Sequence, residues 1–428
     1  MTIAAEELPV SRGRARFTLA LLFLLMCFDF IDRQVIAAVL PAIKSDWQLS
    51  DSQLGLLVSV VNIFIAVLTL PVALVVDRWS RSKAIGAMAL LWSLATAACG
   101  WASSFPQLLL ARAFVGAGEA GYGPAGNALL AASFPQRQRA TVLGFFISGS
   151  LVGTVLGLVL GGFIAQRWGW QHVFGVVALP GLLLALAAFF LRDYRSQQLR
   201  VADAQSGELR AQRWHEGLAM ILRSPALLLI FLGQSAQLFY LATLGNWLPS
   251  FFNRAHGMSL QQAGLQAGLV LLAGAAGIGL GGWFADSWSR GVTARRLQTA
   301  ALFCILSAAM LGTAFTLPAS QLQVVLIVTG TLFAGALLGP VSAAQLDLVH
   351  PALRSSVGGV LVLTQNLFGM ALGPLVAGWL SDQHGLQSAL QMMCVAPVLA
   401  ALSLAASARL SHRQRLLPVG GPAVEPSR

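Results

Sequence analysis

Twelve apolar segments, each of about 19–25 residues, follow one another along the chain with short polar turns between them. Each matches the ~30 Å hydrocarbon core of a bilayer. Inside lipid a segment must satisfy its own backbone hydrogen bonds, so segments of this length can only be helices. We place them near 17–40, 54–76, 84–103, 107–131, 141–165 and 172–191, then 225–252, 263–285, 296–317, 322–347, 356–380 and 386–408. Charged residues make up 10% of the chain and hydrophobic residues 57%. Soluble domains carry about a quarter charged residues. The expected fold class is therefore an all-α membrane protein.

The chain echoes itself. Leu40-Pro41 recurs as Leu248-Pro249, and Ala73-Leu-Val-Val-Asp77-Arg78-Trp-Ser-Arg81 as Gly282-Trp-Phe-Ala-Asp286-Ser-Trp-Ser-Arg290. Gly123-Pro124 pairs with Gly339-Pro340, and Gly157, Gly162 and Gly169 with Gly373, Gly378 and Gly385, at offsets of 208 to 216. This predicts two six-helix bundles related by a pseudo-two-fold axis along the membrane normal. The organisation is an amino-terminal arm (1–16), a first bundle (17–191), a linker (192–223), a second bundle (224–408) and a tail (409–428). Within the linker Trp214, Leu218, Ile221 and Leu222 recur at helical spacing beside Arg210, Arg213 and Arg223. That pattern fits either an amphipathic helix on the anionic membrane surface or a plain connection. A glycine ladder, Gly153, Gly157 and Gly161, is echoed by Gly369 and Gly373; such spacing allows close helix packing, and its mirrored placement suggests equivalent sliding contacts.

A net charge of +11 raises the question of nucleic acid, and the charge distribution answers it. With the amino terminus inside, 22 of 27 Lys and Arg fall on cytoplasmic segments. This is the positive-inside pattern; both termini are expected in the cytoplasm, with membrane lipids rather than nucleic acid as surroundings. Arginine outnumbers lysine 25 to 2, a compositional bias that suggests a bacterial inner membrane. Cys27, Cys99, Cys304 and Cys394 stand singly, with neither metal nor redox spacing. No phosphate loop and no nucleophile elbow occur, so neither a primary pump nor an enzyme is expected, and no cofactor beyond a coupling proton.

Five ionisable residues interrupt the first and fourth segments: Asp29, Asp32 and Arg33, then Arg112 and Glu119. A central arginine costs roughly 2.5–3.5 kcal/mol on insertion scales, so such groups mark a pathway by default. At 1.5 Å per residue, Arg112, Arg33 and Asp32 lie about 8–12 Å from the outer ends, and Asp29 and Glu119 about 16–18 Å. Levels then predict Asp32 and Arg33 beside Arg112, and Asp29 beside Glu119. Three acids face two cations. One carboxyl is left without a cation, and in a dry site it prefers its neutral form. Glu119, the deepest, is expected to take and release that proton while Asp32 exchanges partners between Arg33 and Arg112. Alternatively, Asp29 and Arg33, at i and i+4, pair within one helix.

Asp77-Arg78-Trp-Ser-Arg81-Ser-Lys83, between the second and third helices, resembles the loop signature of the major facilitator superfamily, with Ala73 in place of its opening glycine. Within that superfamily, Asp32-Arg33 followed by Val39-Leu-Pro41, and Leu110-Ala-Arg112-Ala-Phe-Val-Gly116-Ala-Gly118-Glu119-Ala-Gly-Tyr122, resemble the Spinster-type transporters. The resemblance implies a proton-coupled secondary transporter of lysophospholipid or sphingosine-phosphate-like amphiphiles. On that similarity Asp32, Arg33, Arg112 and Glu119 would occupy the family's coupling positions; with Asp29 at the level of Glu119, the three acids are expected to serve proton coupling, and Arg33 and Arg112 the substrate headgroup. Tyr122, Gln237, Tyr240, Gln365 and Asn366 are candidates to line the substrate path. The superfamily pattern further implies a cytoplasmic gate of Asp77, Arg78, Arg81, Asp286 and Arg290. The Asp-Arg start is shared with symporters of small organic anions, and those, or multidrug or sugar efflux, are the alternative. A single chain is expected to be the working unit.

Overall fold

The protein is described by a computed structural model covering residues 11–78, 80–191, 221–349 and 354–414. Among these residues all regular structure is helical. The first half comprises α1 (Arg12–Trp47), α2 (Asp51–Arg78), α3 (Arg81–Trp101), α4 (Phe105–Glu119), α5 (Tyr122–Ser133), α6 (Gln136–Trp168) and α7 (Trp170–Ala188). The second comprises α8 (Pro225–His256), α9 (Leu260–Ser289), α10 (Thr293–Ala314), α11 (Gln321–Ala336), α12 (Leu338–Leu348), α13 (Arg354–Thr364), a π-helical stretch (Gln365–Ala371), α14 (Leu372–His384), α15 (Leu386–Met392) and α16 (Val395–Gln414). α1 begins within the expected arm, and α16 runs into the expected tail. The linker positions Arg210, Arg213, Trp214 and Leu218 lie outside the described residues.

Among the described residues ten helical spans are long and apolar enough to cross a membrane. Two more complete the twelve. One is α1, where Asp29, Asp32 and Arg33 interrupt the apolar run; the other is the α4–α5 pair, broken at Ala120–Gly121. The break has a covalent cause. Pro124 has no N–H for the carbonyl of Ala120, four residues back, and that carbonyl lies 3.2 Å from the Thr69 hydroxyl, whose shorter hydrogen bond is to Ile65 O at 2.5 Å. The mirrored Gly339-Pro340 follows a matching break between α11 and α12 at Leu337. Each bundle thus has a span split at an equivalent level, and in the second bundle the last span is also broken, at Met393–Cys394 between α15 and α16. In the first bundle the split falls directly after Glu119.

The repeat also appears in the turns. Gly169 and Gly385 hold φ of 90° and 80°, ending α6 and α14 and starting α7 and α15. That left-handed region favours glycine, which explains the residue at both copies. The mirrored ladder glycines make equivalent contacts too. A Cβ on Gly157 would lie 2.8 Å from Ile31 O, and one on Gly373 would overlap Phe239 O. Both contacts lie inside a bundle, α6 on α1 and α14 on α8. The expectation that this ladder forms a sliding surface is therefore corrected: these glycines fix helices within a half.

The two halves meet along α2 against the π-helical stretch and α14, along α6 against α9, and along α1 against α8. One apolar core cluster runs through both halves, including Leu54, Leu158, Leu248, Phe251 and Ala377. A second, with Leu297, Leu337, Val357 and Leu404, belongs to the second half.

Candidate functional site: a buried charge cluster between α1, α3 and α4

Two glycines decide where α4 sits. A Cβ on Gly116 would overlap Val61 O of α2, and one on Gly118 would lie 2.7 Å from Trp92 N of α3. α4 is therefore drawn tightly onto α2 and α3, while α1 packs on α6 and α7. The two charge-bearing helices reach each other through side chains. Arg33 and Arg112 are long enough to span the distance.

Arg33 is shared. Its Nε and Nη2 donate to Asp29 Oδ1 and Oδ2 at 3.3 and 3.4 Å, and Nε also stands 3.0 Å from Glu119 Oε2. The single Nε–H is aligned on Asp29, so Glu119 has an ionic neighbour and no hydrogen bond; both its carboxylate oxygens are buried and unbonded. The Glu119 side chain is 0% exposed and that of Arg33 16%. Of the three side chains Arg33 is the most exposed, with Asp29 at 4%.

Arg112 faces Asp32 instead. Nη1 lies 3.6 Å from Asp32 Oδ1 and donates to the Asp32 carbonyl at 3.4 Å, with both residues fully buried. Thr96 Oγ1 of α3 is within hydrogen-bond reach of Asp32 Oδ2 and also of Trp92 O at 2.9 Å. A hydroxyl has one proton. When it donates to Trp92, Thr96 can accept from a protonated Asp32. Nothing in its type or spacing marks Thr96 from sequence, because a threonine in an apolar helix carries no distinguishing signal.

Depth counting is therefore half right. Asp32 meets Arg112, and Asp29 and Glu119 do share a level. Arg33, however, turns toward the deeper pair and away from Arg112, hydrogen-bonding Asp29 and standing beside Glu119. The expectation of an acid with no cation at all is corrected. The surplus charge belongs to a triad, Asp29–Arg33–Glu119, with two acids on one base.

The expected lining residues divide. Tyr122 donates to Leu22 O at 2.6 Å and packs edge-on to Trp92. Tyr240 is fully buried beside Leu390 O and Cys394 Sγ. These hydroxyls tie α5 to α1 and α8 to α15, so both tyrosines hold helices together inside a bundle rather than line a path. Gln237 is buried, with Nε2 on Ala334 O at 3.4 Å. Gln365 and Asn366 are half-buried at the start of the π-helical stretch, and Asn366 Nδ2 donates to Val362 O.

At the end holding the α2–α3 turn, the side chains of Asp77, Arg78 and Arg81 lie outside the described residues. Asp286 pairs there with Arg296 at 3.0 Å, and Arg296 in turn with Asp347 at 2.8 Å. Among the described residues this network joins second-half side chains, and Arg290 is exposed. Among the described residues, the polar contacts between the halves lie at the opposite end. Arg254 donates to both oxygens of Asp51 at 2.7 and 2.8 Å and Ser381 Oγ donates to it at 2.5 Å, while Lys44, in the same half as Asp51, reaches it at 2.6 Å. A cavity of about 390 Å³ lies beside this closure, lined by Asp51, Arg254, Ser381, His384 and Gln387 among others. It belongs to the sealed end and contains none of the intramembrane charges.

Comparison with known proteins agrees with this architecture. The family model described as Major Facilitator Superfamily matches residues 22–374. An MFS-type efflux pump of Mycolicibacterium smegmatis is 29% identical, over 86% of this chain and 85% of that protein. The hexuronate transporter of Bacillus subtilis is 26% identical, over 85% and 87%. Protein spinster homolog 1 of Homo sapiens is 26% identical, over 87% and 74%. Among solved structures, a bacterial homolog of the human lysosomal transporter Spinster, inward-facing and unoccupied, superposes with a TM-score of 0.83 at 24% identity, covering 96% of this chain and 100% of that one.

Proposed function

The chain belongs to the Major Facilitator Superfamily, and from that premise we propose a proton-coupled secondary transporter that works by alternating access. The observation that carries the coupling is the triad, in which Asp29 and Glu119 share Arg33. Two carboxylates against one guanidinium leave a negative charge away from bulk water, which is expensive. One proton removes it. Glu119, whose oxygens have no hydrogen bond, is the group that takes it.

Coupling follows from sharing. A substrate headgroup that recruits Arg33 or Arg112 competes with the carboxylates for the same cations, so occupancy changes proton affinity and protonation changes substrate affinity by the same factor. The Asp51 end is the outer side in this reading, consistent with the distribution of Lys and Arg, and both termini are cytoplasmic in a bacterial inner membrane.

The substrate is an amphiphile with an anionic or zwitterionic head, of the lysophospholipid or sphingosine-phosphate type. Three things support this: the helix-four pattern around Gly118-Glu119, a Spinster homolog among the relatives, and a second half whose described charges all sit at helix ends. A small sugar acid is the second reading, favoured by the hexuronate and galactonate transporters among the relatives. Purified protein in liposomes separates them. Lysophospholipid movement that hexuronate does not inhibit is expected; hexuronate uptake without lysolipid movement overturns the amphiphile assignment.

A further inference from the structure

The two longest lines of contact between the halves end in the same device. At the end of α14, Asp382 Oδ1 accepts from Asp51 N at 2.7 Å and Oδ2 from Ser52 N at 2.8 Å, with Ser52 Oγ also on Oδ2. At the end of α6, Gln166 Oε1 accepts from Gln261 N at 3.0 Å. In both places a residue at the last turn of one helix caps the first turn of a helix in the opposite half. One turn earlier stands a glycine whose Cβ would overlap the partner backbone, Gly378 on Asp51 O and Gly162 on Leu260 O. Residues 166 and 382, like 162 and 378, differ by 216, and Ser52 and Gln261 by 209. These are the offsets of the internal repeat. The two caps are one motif duplicated, and the pseudo-two-fold axis exchanges them.

The copies are chemically unequal. Gln166 offers a neutral amide to one N–H. Asp382 offers a charge to two N–H groups and a hydroxyl at a helix amino terminus, where a negative charge is stabilised and hydrogen bonds are stronger. Asp51 stands beside it, its own charge matched by Arg254 and Lys44. We propose that Asp382 and Gln166 are the two halves of a cross-bundle clasp that keeps the Asp51 end shut, and that the charged half carries most of its strength. If the halves rock as alternating access requires, this clasp is what must release.

Spin labels on cysteines introduced at the exposed positions Ser45 and Ala319, one in each half at this end, report its opening. The four native cysteines are buried. Measured in detergent without substrate or proton gradient, the result is independent of what is transported and of proton coupling. Wild type is expected to show mainly the short distance. Asp382→Asn, near in shape but uncharged, should move at least a several-fold larger fraction to long distances, and Gln166→Ala a smaller fraction. Gln166→Glu, which installs a charged cap at the weaker copy, should narrow the distribution below wild type. A distribution unchanged by Asp382→Asn overturns the proposal, as does opening by Gln166→Glu in protein whose melting temperature matches wild type.

Discussion

Arg112 and Asp32 illustrate how a single side chain is committed by burial. Removing one member of a buried pair costs about 3–5 kcal/mol, because the other is left charged without a partner. Arg112→Gln should therefore lower the melting temperature markedly, and Asp32→Asn/Arg112→Gln should recover much of it while remaining inactive. A double variant as unstable as the single one would mean that packing, and not charge, holds α4 to α1. Thr96 gives a finer test. Thr96→Val keeps the shape and removes the hydroxyl near Asp32, so transport should slow with little change in stability. Unaltered transport would take Thr96 out of the site. The five intramembrane charges were legible in the sequence because their cost in lipid singles them out. Their pairing was not, since depth along two helices says nothing about which way a guanidinium turns.

Helices here are placed by where backbones can touch. α4 depends on Gly118, whose Cβ would stand 2.7 Å from Trp92 N, whereas Gly123 has nothing within 4 Å. Gly118→Val should destabilise by about 1–3 kcal/mol through overpacking, and Gly123→Ala by no more than about 0.5 kcal/mol in either direction; thermal denaturation in detergent checks both. Equal effects would mean that α4 is not seated by close contact. The twelve spans, the duplication and the mirrored Gly-Pro pairs were all readable as pattern. Their consequence, a break after Glu119 and another at Leu337, follows from the missing N–H of proline. The π-helical stretch at Gln365–Ala371 was not foreseen, because Leu158 stands in the first copy where Pro374 stands in the second, and the repeat gives no hint of it. The glycine ladder was read correctly as packing at equivalent contacts, but the sliding it suggested does not fit contacts that lie inside each half, since spacing along one helix does not name the partner.

The molecule as a whole separates two tasks. In the proposed account the coupling groups sit inside the first bundle, where α1, α3 and α4 bring them together, and closure lies between the bundles at the Asp51 end. Under that account the two communicate through the tilt of one half against the other. Arg254→Gln should accordingly increase labelling of a cysteine placed at that end while leaving the Arg33 cluster assembled, and substrate affinity measured by binding should shift less than the labelling does. The central claim is that the triad of Asp29, Arg33 and Glu119 carries the transported proton. The most direct test is the pH change inside liposomes when a saturating pulse of transported substrate is added to wild type and to Glu119→Gln. Wild type should move protons in step with substrate, and Glu119→Gln should bind substrate yet move none. Proton movement of wild-type size in Glu119→Gln would contradict the account.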